Sequence, residues 1–136
     1  MSLDPKTKTA FLMLMLVQAA HSLEEVKFEL WSYLEQARWV GTLFSNDVAT
    51  GFATGNALVV GFGFWCYFAR VRPSHTGALL WIYPWAIVEL VNGITHPLMA
   101  LYQGRYVPGT YTAPLLFAAA VYLLFSLRRP KSGSSH

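Results

Sequence analysis

Apolar residues gather in four long stretches separated by short polar breaks. The first opens near Thr9 with FLMLMLVQAA and runs, with polar interruptions, to about Glu29. The others cover about 47–69, 76–101 and 110–127. A bilayer core about 30 Å thick needs about 20 mostly apolar residues per helix, so the pattern predicts four spans, at about 9–29, 47–69, 76–101 and 110–127. Arg70-Val71-Arg72-Pro73-Ser74-His75 reads as a basic turn, and Gln103 to Gly109 as a glycine- and proline-containing loop. Residues 30–42 mix Trp31, Leu34 and Val40 with Glu35 and Arg38. They read as an extension of the first helix or as an interfacial helix at headgroup level.

Composition narrows the class. The 136 residues are 54% hydrophobic and 12% charged, whereas soluble domains carry about 25% charged residues. The expected fold is all-α, a four-helix transmembrane bundle in one domain over residues 1–130. Residues 131–136 (KSGSSH) look like a linker or tag remnant. The net charge of +3 arises from clusters at segment ends, which excludes a nucleic-acid footprint. Cys66 is the single cysteine, so no disulfide framework or multi-cysteine metal site is available. With four spans, Lys6, Lys8, Arg70, Arg72, Arg128, Arg129 and Lys131 share one side and Lys27, Arg38 and Arg105 the other. That asymmetry predicts cytoplasmic N- and C-termini in a multi-pass integral membrane protein, in the plasma or inner membrane if the source is bacterial.

Candidate chemistry lies in the residues that a span ought to exclude. A charge near the bilayer centre costs roughly 3 kcal/mol on insertion scales, so such residues mark function. His21, Glu24 and Glu25 stand at i, i+3 and i+4, with Gln18 one turn before; Glu89, Asn92 and His96 stand at i, i+3 and i+7. Each set occupies one helix face. The second span adds Asn56. At about 1.5 Å of rise per residue, all of these fall between mid-membrane and the outer leaflet. Three carboxylates in one low-dielectric layer repel one another unless protons or cations neutralise them.

Three readings follow. A divalent metal (Zn, Fe or Mn) held by His21, Glu24, Glu25, Glu89 and His96 supplies the missing positive charge, with whichever of Glu24, Glu25 or Glu89 is left free as catalytic acid/base. Shared protons give a metal-free acid/base isomerase on the same residues. A carrier or sensor of metal ions or protons is the non-enzymatic reading. A packing network of buried hydrogen bonds is the bland alternative to all three.

His21-Ser22-Leu23-Glu24-Glu25 spells HxxEE, Asn92 to His96 gives NxxxH, and Tyr106 to Ala113 reads YVPGTYTA. This set of three blocks resembles the small integral membrane proteins named for the HXXEE motif, over nearly the whole chain before the tail. The resemblance implies the site and no particular reaction. In layout alone, the chain is similar to the emopamil-binding sterol isomerases, which implies proton-transfer chemistry on a hydrophobic substrate.

The remaining features complete the expectations. Arg105 and Tyr106 are candidate substrate-binding residues in a loop over the polar layer, alongside Gln18, Asn56 and Asn92 as supporting groups. Pro84 and Pro97 are expected to kink the third span. Gly51 and Gly55 form a GxxxG match whose usual meanings are tight packing within the chain or a homodimer. The expected partners are membrane lipids and a hydrophobic small-molecule substrate.

Overall fold

The structure, a computed structural model, describes residues 2–128, and these are helical, with no strand. The expected tag at 131–136 lies outside the described residues. Helix α1 is Pro5–Lys27, started by Asp4, whose carboxylate accepts from the Lys6 amide at 2.8 Å, and by Pro5 in the first turn. It stops where Glu29 adopts φ 58°, a left-handed conformation that no α-helix can continue through. Residues 30–42 are therefore not an extension of α1. They form a short 3₁₀ turn, Leu30–Ser32, and a separate helix α2, Glu35–Thr42.

Helix α3 is Val48–Cys66, capped by Asp47 and prolonged by a π turn over Tyr67–Val71. Helix α4, Leu79–Gln103, contains both prolines and ends at Gly104 with φ 64°. Helix α5 is Ala113–Arg128. Among the described residues, Val48–Val71 is the stretch long and apolar enough to cross a membrane by length and composition. Helices α1 and α4 carry the His, Glu, Gln and Asn residues, which lower their average apolarity, and α5 is shorter.

Helix α1 lies between α3 and α5, α4 packs on α5, and α2 packs on α3. Phe11, Leu14 and Met15 of α1 meet Ile82, Trp85 and Ala86 of α4 and Leu116, Ala120 and Leu123 of α5 in the main core. This core occupies the half of the bundle nearest both described chain ends, and the polar residues lie beyond it. Backbone approach is closest where side chains are absent. A Cβ on Gly93 would stand 2.7 Å from that of Phe117, so this glycine sets the α4–α5 distance. On α3, Gly51 meets the Gly41 carbonyl and Gly55 meets the Phe44 ring. Gly51 and Gly55 are thus packed against α2 and the residues just after it in the same chain.

Candidate metal centre

One helical turn on α1 places His21 and Glu25 side by side, and α4 brings His96 to meet them. Nε2 of His21 lies 3.4 Å and Nε2 of His96 3.1 Å from Oε1 of Glu25, and the three donor atoms fall within 4.8 Å of one another. The imidazoles meet edge to face, with ring centroids 4.7 Å apart. Zinc bonds of about 2.0–2.1 Å at tetrahedral angles separate neighbouring donors by about 3.3 Å, close to both glutamate–histidine distances. Nε2 of His21 is buried and has no hydrogen-bond partner among the described residues. An orphaned nitrogen aimed at a carboxylate is the arrangement a cation satisfies.

The opposite edge of each ring is anchored. Nδ1 of His96 lies 2.7 Å from the Pro108 carbonyl, which can only accept, so Nδ1 carries the proton and Nε2 keeps its lone pair in the neutral ring. Nδ1 of His21 lies 2.8 Å from the Thr112 hydroxyl. That hydroxyl donates to Oε2 of Glu24 at 2.6 Å, leaving its oxygen to accept from His21. Both rings therefore present Nε2 to the shared carboxylate. Outer partners of this kind orient metal-binding histidines and fix their tautomer.

Glu24 stands apart from the cluster. Its Oε1 accepts from the Tyr106 hydroxyl at 2.6 Å and the Tyr111 amide at 3.1 Å, and its Oε2 from the Thr112 amide and hydroxyl at 2.9 and 2.6 Å. All four donors belong to the loop and first turn leading into α5, so this carboxylate anchors that segment rather than facing the histidines. Burial, followed by the adjoining Glu24 carboxylate, holds the Tyr106 phenol above its usual range and so keeps it a donor.

Glu89 also lies outside the trio. It is fully buried a level deeper, where Asn92 donates to it at 3.2 Å. The Gln18 amide, with its nitrogen toward Glu89, donates at 2.8 and 3.2 Å and accepts from Ser22 at 3.1 Å. Asn56 binds its own helix at the Phe52 carbonyl and borders a groove between α1 and α3. Arg105 turns outward, 3.1 Å from Oε1 of Gln103 and 4.7 Å above the Tyr33 ring, away from the cluster. The polar residues thus form two tiers, His21–Glu25–His96 under the loop and Gln18–Glu89–Asn92 below.

Three participants were not among the expected site residues: the Pro108 carbonyl, Gly109 and Thr112. A Cβ on Gly109 would lie 2.5 Å from Nδ1 of His96 and 2.8 Å from Cε1 of His21. Its φ of 97° suits glycine as well. This glycine closes the loop directly onto both rings. The Pro-Gly pair signals a turn in the sequence, but nothing local says which side chains the turn covers.

A family model described as "Protein of unknown function with HXXEE motif" matches residues 12–123, a stretch containing every residue of both tiers. No curated protein and no solved structure matches the chain.

Proposed function

This chain belongs to the HXXEE-motif family, and from that premise we propose that it is a membrane-embedded, metal-dependent enzyme acting on a lipid or isoprenoid-like substrate. The observation that carries this reading is the convergence of His21 Nε2, His96 Nε2 and Glu25 Oε1, with both histidines anchored through Nδ1. Two histidines and one carboxylate are a ligand set of catalytic zinc and of non-haem iron, and three protein ligands leave coordination sites for water or substrate. The metal would supply Lewis acidity and a deprotonated water at neutral pH. Glu25 would offset part of its charge, His21 and His96 would hold it with Glu25, and Glu89, free of both the trio and the α5 anchor, is the candidate to hold a proton.

The membrane setting rests on the outward faces. Leu16 and Leu23 on α1, Leu58 and Phe62 on α3, Leu80, Ile87 and Leu98 on α4, and Leu115 and Phe125 on α5 are all exposed. Apolar surface of that extent on every long helix calls for lipid rather than water. We therefore read α1, α3, α4 and α5 as four spans, with both termini on the lysine- and arginine-rich cytoplasmic side. The apolar core that fills the cytoplasmic half weighs against a carrier, which needs a polar path to both faces.

Metal analysis of the protein purified in detergent tests the proposal. About one equivalent of zinc, iron or manganese is expected, and His21→Ala should lose it. A folded protein without metal, after reconstitution with each ion, would falsify the reading. The same donors would then constitute an imidazolium–carboxylate pair, for which the 3.1 Å His96–Glu25 distance is equally suitable, and acid/base isomerisation would be the function to pursue.

A further inference from the structure

Access to the cluster is one-sided. The His21 side chain is 1% exposed, sealed by Gly109 and Thr112, whereas His96 and Glu25 keep 8% and 12%. His96 forms part of the wall of a groove of about 320 Å³ between α4 and the chain leading into α2, with Leu34, Gln36, Thr95 and Met99. Its composition specifies an occupant. Leu34 and Met99 are apolar; Gln36 and Thr95 are neutral hydrogen-bonding groups; among the described residues no acidic side chain, lysine or arginine lines it. Arg105, on the neighbouring loop, is engaged with Gln103 and Tyr33. A phosphate head would therefore meet no lysine or arginine side chain in the groove. The volume is at the low end for ligand sites and accommodates a head with the start of one chain, not two. Beyond the groove, Leu98 and Leu101 of α4 face outward, so an emerging chain continues along apolar surface.

We propose that this groove admits a single-chain amphiphile with an uncharged, hydrogen-bonding head, such as a long-chain or isoprenoid alcohol or its ester, head first toward His96 and Glu25. The inference rests on the membrane-enzyme reading above and names its substrate class. Gln36 and Thr95 hold the head, and Leu34 and Met99 flank the first carbons of the chain.

The test is photolabelling of the full chain in lipid nanodiscs with a long-chain alcohol bearing a diazirine beside its hydroxyl, followed by peptide mapping. Labels should concentrate on residues 34–36 and 95–99 and not on the outward-facing Leu80 or Leu115. Met99→Trp and, from the opposite wall, Leu34→Trp should each lower labelling about tenfold, corresponding to about 1.4 kcal/mol of binding, while metal content stays at the wild-type level. Excess alcohol without the diazirine should compete, and a two-chain phospholipid should not. Labels spread evenly over the outward faces, or equal competition by the phospholipid, would overturn the proposal. Wild-type mapping decides alone if both variants misfold. Groove labelling without bound metal would refute the metal reading and leave the groove assignment standing; bound metal without groove labelling would do the reverse.

Discussion

Thr112 and His21 are joined at 2.8 Å between the threonine hydroxyl and Nδ1 of the imidazole, and that one contact ties a helix-start residue of α5 to the cluster on α1. Because the hydroxyl's proton goes to Glu24, its oxygen must accept from His21, which leaves Nε2 free to face Glu25. The loop into α5 therefore sets the tautomer of a ring on α1.

Removing the hydroxyl should release His21. Thr112→Val is expected to weaken metal binding about 10- to 100-fold, the usual effect of losing an outer-shell partner. Thr112→Ser should stay close to wild type. Competition with a chelator of known affinity measures both, and equal affinities for Val and wild type would contradict the role assigned to this contact.

The three glutamates should separate cleanly in a metal titration. Glu25→Gln is expected to lose the ion, because its carboxylate lies between both histidines. Glu89→Gln should retain it in full, since Glu89 is held by Gln18 and Asn92 a tier below. Glu24→Gln should retain it with affinity lowered about 10- to 100-fold, acting through Thr112. Loss of metal in Glu89→Gln would add that residue to the ligand set.

Gly109→Ala should be among the most damaging small substitutions in the chain. The new methyl would stand 2.5 Å from His96 Nδ1, on backbone at φ 97°. Left-handed strain alone costs of order 1–3 kcal/mol, and displacing the loop would also break the His96–Pro108 contact. A lowered Tm together with reduced metal content is expected. A shift in Tm with unchanged metal content would show that the loop does not position the ring.

Alkaline pH should loosen the loop through Tyr106. Burial, then the Glu24 carboxylate, raises its phenol above the ordinary tyrosine pKa of about 10. A group raised on folding stabilises fully below its unfolded pKa, and that contribution is lost as pH climbs through the folded value. Thermal melts of wild type and Tyr106→Phe should therefore converge as pH rises past the ordinary tyrosine range. A constant gap between them would contradict the coupling.

Much of the site's location was legible in the sequence. His21, Glu25 and His96 were identified as polar intruders on helix faces, because helical periodicity is local and a polar residue amid apolar ones stands out. The finer assignment was not. Glu24 and Glu25 are adjacent and chemically identical, yet one accepts four bonds from the α5 entry and the other sits between two imidazoles. About 100° of rotation around α1 separates them, and which direction faces α4 depends on how three helices pack.

By itself the sequence determined the helical class, the long apolar stretches, and the motif blocks that place the chain in its family, since each depends on neighbours within a turn or two along the chain. Tertiary structure decided what covers the GxxxG face, that Arg105 points away, and that Pro108, Gly109 and Thr112 complete the cluster from a loop 91 residues from His21 along the chain in the case of Thr112. Those outcomes depend on contacts between residues remote in sequence, and no local periodicity encodes which remote carbonyl or hydroxyl will meet a given imidazole nitrogen.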